Sequence, residues 1–333
     1  MSQVPVFFSV VIVNFNAGPH LQAALTSLAS QTERDFEVIL IDNASTDGSA
    51  DSLDTTGLPA FTLVKASDNL GFAGANNKAA GLAHGRWLAL LNPDATAEPD
   101  WLEQVRAGIE HYRDTPSFAC TQIAADDPSR LDGAGDNFLV FGIPWRGGYR
   151  RPVSDLPPEG ECFSACGASA IYLKSTFLEM NGFDERFFCY CEDVDLGYRL
   201  RLAGNRCIFL PGARVHHLGG GSADQISGFA IRLGTRNRLW LFIRDTPLGL
   251  LVLTLPVHLI LTLLILVRGL STGRFRWTLT GIAEAIRGLP EFWSERKLLH
   301  DRRQASSRHL VRMMAFNPMR ILTCDTFVRP SKP

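Results

Sequence analysis

The chain has 333 residues, 46% of them hydrophobic and 20% charged, with a net charge of −1. That length can bury a large core and hold one or two domains, and the composition excludes a disordered, collagenous or disulfide-built chain. The near-zero charge conceals an asymmetry: from Arg268 to Pro333 there are thirteen Lys/Arg against five Asp/Glu, so an acidic body precedes a basic tail suited to an anionic surface. Seven cysteines occur without CxxC pairs or zinc spacing, which reads as reduced cytosolic thiols. The apolar start, Val4 to Val13, lacks a positive n-region and reads as a first strand rather than a signal peptide.

The first hundred residues alternate as βαβ units. Phe7 to Val13 is a continuous apolar run, as a strand buried on both faces requires, and His20 to Gln31 has helical spacing. Phe36 to Ile41 is a second strand ending in Asp42-Asn43-Ala44-Ser45-Thr46-Asp47-Gly48. Gly57 to Val64 supplies a third strand, Ala73 to His84 a small-residue helix, and Trp87 to Leu91 a fourth strand ending in Asn92-Pro93-Asp94. Polar residues therefore collect beyond the carboxyl ends of three strands, at Asn14/Asn16, Asp42 and Asp94, the edge where open α/β sheets bind ligands.

From Pro116 to Glu161 the pattern weakens into an irregular, substrate-facing region with short strands. Ala165 to Leu173 reads as a strand and Ser175 to Met180 as a short helix. Three acids follow behind an aromatic run: Glu192, Asp193 and Asp195, after Phe183, Phe187, Phe188 and Tyr190. Partial desolvation would make one of them a general base, while acids also suit a helix start. Ile208 to Val215 is a strand closed by His216 and His217 before Gly219-Gly220-Gly221-Ser222.

Gly228 to Phe242 reads as a helix. Thr246 to Val267 is a twenty-two-residue run without formal charge, interrupted by Pro247, Pro256 and His258. It could cross a bilayer at about 1.5 Å per residue. Arginines flank it on both sides, and a single crossing would carry the basic tail outside against the positive-inside tendency. A re-entrant or interfacial hairpin broken near Pro256 satisfies both flanks; a buried core or a dimer interface is the alternative. Trp277 to Trp293 follows as an amphipathic helix.

Several motifs admit both a ligand and a turn. Asp42 can accept from a base or ribose donor while Asn14 and Asn16 hold the neighbouring loop. The same composition makes an ordinary turn, the reading that suits Asp47. The glycines of Asn69-Leu70-Gly71-Phe72-Ala73-Gly74-Ala75-Asn76-Asn77 would let backbone approach an anion, or simply tighten a helix start. This stretch is not GxGxxG, which argues against a nicotinamide-dependent oxidoreductase. Asp94, fixed after a buried strand by Pro93, suits a divalent cation bridging a diphosphate, provided His216 or His217 converges on it.

Taken in order, SVVIVNFN, DNASTDGS, NLGFAGANN, LLNPDA, CGASAIY, GFDERFFCYCEDVDLGYRLRLAG and VHH resemble glycosyltransferase family 2, most closely its bacterial rhamnosyltransferase-like branch, over residues 7 to 222. The resemblance implies a GT-A fold, Rossmann-like with a mostly parallel central sheet, in residues 1–225; the apolar run with its basic flanks makes 226–333 a helical membrane-associated extension, peripheral or re-entrant on the cytosolic face. The resemblance implies inverting transfer of a sugar, rhamnose or another deoxyhexose, from a dTDP-sugar-like donor to a glycan or polyprenyl-linked acceptor, assisted by Mg or Mn. Asp42 would contact the nucleoside base, with Asn14, Asn16, Asn69, Gly71, Gly74, Asn76 and Asn92 around the donor. Asp94 matches the last acid of the family's DxD motif, whose first acid is Asn92 here. Asp193 matches the catalytic base, His217 the metal-binding histidine with His216 as the alternative, and Asp195 caps and orients. A membrane-tethered sugar-binding scaffold is the competing expectation. The basic tail has no nucleic-acid reading motif, and oligomers are compatible with the chain.

Overall fold

A computed structural model describes residues 6–219 and 228–332. Residues 220–222 of the glycine-rich run and the expected boundary at 225/226 lie outside the described residues.

The elements run β1 (Phe8–Asn14), α1 (His20–Ala29), β2 (Phe36–Asp42), β3 (Phe61–Lys65), α2 (Gly71–Leu82), β4 (Trp87–Leu90), β5 (Ala95–Ala97) and α3 (Trp101–His111). Next come β6 (Ser117–Ala124), β7 (Leu131–Ala134), β8 (Asp136–Leu139), β9 (Ile143–Arg146), β10 (Gly160–Cys162), β11 (Ala170–Leu173), α4 (Lys174–Glu179), α5 (Glu192–Leu202) and β12 (Cys207–His217). The chain closes with α6 (Gly228–Asp245), α7 (Leu248–Ser271), α8 (Phe275–Asp301), α9 (Ser307–Arg312) and α10 (Met319–Leu322).

The main sheet has the order β10-β12-β6-β11-β4-β1-β2-β3, with β5 on β12 and β7 on β6. The β4-β1-β2-β3 half is parallel, and every residue of β1 and β2 is buried, as their unbroken apolar runs require. Beyond β4 the sheet becomes mixed, because β11 enters antiparallel to both β4 and β6. One face packs under α1 and α3 through Leu25, Leu28, Trp101 and Val105, and the other under α2 and α5 through Ala79 and Leu196, joined by Phe183 from the segment before α5.

The region from Pro116 to Glu161 holds the expected short strands and, in addition, β6, a fully buried eight-residue central strand whose Ser, Ala, Cys and Gln give little β propensity. Three local expectations shift. The third strand begins at Phe61 rather than Gly57, after Pro59. Strand β11 begins at Ala170, so residues 165–169 form a turn instead of its first half. Finally, α7 is one helix of 24 residues through Pro256, not a hairpin broken there. The missing Pro256 N–H removes one helix bond, but the flanking Leu, Ile and Val residues continue the helical register.

The C-terminal helices are built into the body. Buried Arg244 pairs with Asp184, Asp195 and Asp245, and Arg186 pairs with Glu291 and Glu295 of α8. Beyond α10 the chain returns to the sheet edge, where Arg329 and Glu161 exchange backbone hydrogen bonds of 2.7 and 2.9 Å. Part of the basic tail is thus structural. Helix α7 leaves an apolar stripe open, with Leu253 77% and Leu264 59% exposed. At about 1.5 Å per residue it is long enough to lie on or cross a bilayer.

Candidate active site

The parallel strands set the donor edge. Register pairs Asn14 with Asp42 at the carboxyl ends of β1 and β2, and β4 lies on the other side of β1. Asp94 follows β4, so all three residues occupy the same edge. The Asn14 side-chain amide donates to Asp42 Oδ1 at 3.0 Å, to Ser45 Oγ at 3.0 Å and to Ser49 Oγ at 2.9 Å. Asn16, at φ 54°, accepts from Thr46 N at 2.8 Å and fixes the facing loop. Asp47 accepts from Gly18 N and Ser49 Oγ, as a turn residue does.

Asn43, which sequence reasoning passed over, joins this edge to the start of α2. Its amide donates to Asn69 Oδ1 at 2.8 Å, and its oxygen accepts from Leu70 N at 2.8 Å. The space beside Gly71 is filled by protein rather than left for an anion: a Cβ there would stand 2.5 Å from the Phe188 carbonyl oxygen. Gly74 similarly faces Leu70 and Glu185. Asn76 turns back to the Phe72 carbonyl within α2, while Asn77 exchanges hydrogen bonds with Phe183 N and O at 2.9 and 2.8 Å. Helix α2 thereby anchors the segment that leads to Asp193.

The metal-type donors converge through β5 and β12. His217 pairs with Ala95 in register, and its Nε2 lies 3.2 Å from Asp94 Oδ1 and 3.0 Å from the Asn92 amide nitrogen. Strand alternation sends His216 to the other side, where it meets Glu98 at 3.2 Å. His217 Nδ1 is held at 2.7 Å by Asp132 Oδ2 on β7, which also accepts from Arg146 at 2.7 Å. Burial disfavours the charged imidazole, but Asp132 and Asp94 outweigh it and raise its pKa to about 9. Burial also opposes charge on Asp94 and Asp132, yet His217, and at Asp132 also Arg146, hold both carboxyls below the ordinary range. With Nδ1 tied to a carboxylate, Nε2 is the nitrogen that faces Asp94 and could hold a cation once it gives up its proton. An imidazole nitrogen beside one carboxylate and an amide suits Mn or Mg completed by phosphate oxygens.

Asp193 lies in the first turn of α5. Its Oδ1 accepts from Val194 N and its Oδ2 from Gly167 N, both at 2.8 Å. The turn at 165–169 exists to present that Gly167 amide. Burial still raises Asp193 above an ordinary aspartate despite those two donors. Buried Asp136 and Glu192 are pushed well up by burial and by the Asp193 charge, which favours their neutral acids. Asp136, Cys166 and Asp193 also bring one ligand-type atom each within 4.8 Å of one another. Burial lifts the Cys166 thiol to about 12, so this group is a poorer cation site than Asp94/His217.

The loop before Asp193 is strained. Phe188, Tyr190 and Cys191 have φ of 64°, 71° and 68°, and such conformations each cost roughly 1–3 kcal/mol unless their surroundings impose them. Asn237 of α6 imposes them by donating to the carbonyls of Phe187, Cys189 and Tyr190 at 2.9, 2.9 and 2.7 Å. Asp195 is fully buried between Arg199 and Arg244 and holds α5 in place. A cavity of about 530 Å³ has Asn92, Arg146, Gly167 and Asp193 in its wall, so the edge carrying Asp94 and the segment carrying Asp193 open onto one cleft.

The fold, of GT-A type by its likeness to solved structures, carries the Asn14–Asp42 strand edge and the Asp94–His217 pair, with Asn92 and the buried Asp193 in the wall of the cleft. The sequence matches "Glycosyl transferase family 2" over residues 9–177, and the chain belongs to that family. It is 33% identical over 234 residues to the N-acetylglucosaminyl-diphospho-decaprenol L-rhamnosyltransferase of Mycobacterium tuberculosis, covering 62% of this chain and 75% of that one. It is 29% identical over 230 residues to the amylovoran biosynthesis glycosyltransferase AmsB of Erwinia amylovora, covering 63% and 69%. Among solved structures, the mannosyltransferase PcManGT of Pyrobaculum calidifontis, in complex with GDP-Man and Mn2+, superposes with a TM-score of 0.55 at 16% identity, over 96% of this chain and 88% of that one. GalNAc-T7 with UDP, GalNAc and Mn2+ gives 0.55 at 19% identity, over 71% and 48%. These two likenesses establish the fold.

Proposed function

We propose that the protein is an inverting glycosyltransferase that moves a deoxyhexose, rhamnose first among them, from a nucleoside-diphosphate donor to a polyprenyl-diphosphate-linked sugar. The observation that carries this reading is the single cleft shared by Asn92, next to the Asp94–His217 pair, and Asp193. In this reading Asp42 and Asn14 hold the nucleoside, dTDP in the leading case. Asp94 and His217 hold Mg or Mn, with Asp132 orienting the ring, and the cation supplies charge neutralisation of the departing diphosphate. Asp193 takes the proton from the acceptor hydroxyl as its oxygen attacks the anomeric carbon, and the bond to the diphosphate oxygen breaks on the opposite face. The mycobacterial relative, named for a decaprenol-linked substrate, supports the lipid-linked acceptor. The open stripe of α7 supports attachment to the cytosolic face of the membrane, with residues 1–225 as the transferase unit and 226–333 as the extension packed on it.

The test is a screen of nucleotide-sugars against a prenyl-diphosphate-linked sugar with and without Mn or Mg, reading the product's anomeric configuration by NMR. Metal-dependent transfer with inversion is expected. Retention of configuration, or transfer indifferent to chelation, would overturn the reading.

A further inference from the structure

Gly234 and Arg238, one turn apart on α6, belong to two cavities at once. The first is the cleft of Asp193. The second, of about 510 Å³, lies between α6, the end of α7 and the start of α8, and its wall includes Arg268 and Arg274 but no acidic side chain.

Arg238 is unlike the other arginines buried among the described residues. Arg244 meets Asp184, Asp195 and Asp245, Arg201 meets Glu161 and two carbonyls, and Arg296 meets three carbonyls. Arg238 is 6% exposed, and among the described residues its one side-chain hydrogen-bond partner is Thr262 Oγ1, 3.3 Å from Nη2. Its Nη1 is buried without a hydrogen-bond partner. Burial lowers its pKa to about 10, so it stays cationic at neutral pH. A buried cation without a carboxylate is unfavourable unless a ligand supplies the anion. Arg268 and Arg274 likewise form no ion pair among the described residues, so three cations line one pocket in which no described carboxylate neutralises them.

The surroundings select the anion. Ile265 of α7 is in the same wall and is 39% exposed, and it continues into the open stripe of Ile260, Leu263 and Leu264. An anion bound here therefore has an apolar path outward and, past Gly234, a passage inward to Asp193. Gly234 has no described atom within 4 Å of where a Cβ would lie, so there is open space beside the residue the two cavities share.

We infer that this second cavity binds the diphosphate of the lipid-linked acceptor through Arg238, Arg268 and Arg274, with the isoprenoid along α7 and the sugar entering the cleft beside Gly234. Arginine's planar fork matches phosphate oxygens, and two negative phosphates suit three cations. The inference rests on the transferase reading of the cleft but has its own readout.

Binding of farnesyl diphosphate to the full chain in detergent, followed by tryptophan fluorescence, tests it, with inorganic diphosphate and anionic phosphatidylglycerol vesicles as separate arms. Farnesyl diphosphate is expected to bind best. Arg238→Met and the double variant Arg268→Gln/Arg274→Gln should each weaken it by about tenfold or more. Donor binding with Mn should stay unchanged in both. Gly234→Leu should keep farnesyl diphosphate binding and lose transfer to a lipid-linked sugar. The double variant changes residues outside the core, so it decides the matter even if Arg238→Met misfolds. Equal binding of inorganic diphosphate would remove the lipid as the source, and binding to vesicles alone would reduce the patch to a surface contact. Loss of donor binding in Arg238→Met would reassign the arginine to the donor. Transfer with an acceptor KM indifferent to all three arginines would sink this inference and leave the proposed function standing. Arginine-dependent farnesyl diphosphate binding without transfer of any sugar would do the reverse.

Discussion

His217 Nδ1 lies 2.7 Å from Asp132 Oδ2, although the two residues are 85 positions apart in the chain. That contact decides which ring nitrogen faces Asp94 and, in the proposed function, makes β7 part of the cation site. Carboxylates that orient a ligating histidine affect metal affinity without touching the metal. Asp132→Asn should therefore weaken Mn binding by about 10–100-fold, measured by calorimetry, with the fold unchanged by circular dichroism. Unchanged affinity would mean that His217 does not ligate through Nε2.

Burial raises the Asp193 carboxyl above an ordinary aspartate's 3.8. A base works deprotonated, so activity should rise with pH through that raised value, and the acid limb of kcat/KM should lie above 3.8. A profile flat down to that pH would argue for another base.

Asn237 holds three carbonyls of the strained loop before Asp193. Asn237→Ala leaves those carbonyls unpaired and lets Phe188, Tyr190 and Cys191 relax. The expected result is a kcat fall of at least about tenfold with a smaller change in donor Kd. Equal loss of both would mean that the loop serves donor binding.

Stability should carry an acid signature from the Asp184 cluster. Burial alone would raise the Asp184 carboxyl, but Arg186 and Arg244 outweigh it and bring it to about 2. The folded value lies below the unfolded 3.8, so the stabilisation is complete above that pH and is lost as pH falls through about 2. The group contributes about 2 kcal/mol, which urea unfolding of Asp184→Asn against wild type across that window should reveal. Arg244→Met should cost more, about 3 kcal/mol at neutral pH, because it also strips a partner from buried Asp195.

How far the sequence alone reaches depends on the range of the contacts involved. Strands β1, β2 and β4 and helices α1 and α2 announce themselves through apolar periodicity, and the polar residues at the strand ends follow directly. Asp94 and the choice between two histidines were legible as types, but only the β5–β12 register shows which histidine faces Asp94. Asp132, Asp136 and Arg146 were not legible, because they lie where no regular pattern survives and long-range pairing alone brings them to the cleft. Nothing local marks Asn237, because the carbonyls it meets lie 47 to 50 positions away in the chain. Gly71 and Gly74 suggested ligand approach, yet their space is taken by Phe188 and Glu185, which no local pattern reveals. In α7 the proline suggested a break, while the flanking apolar register prevailed.

Everything proposed for the acceptor side turns on Asp193 being the base of a direct displacement. Turnover by Asp193→Asn, measured in parallel with donor binding in the presence of Mn, tests this role. With Asp193 as the base, kcat should fall by about 10²–10⁴-fold while donor Kd stays within a few-fold of wild type. Near-normal turnover with intact donor binding would contradict it.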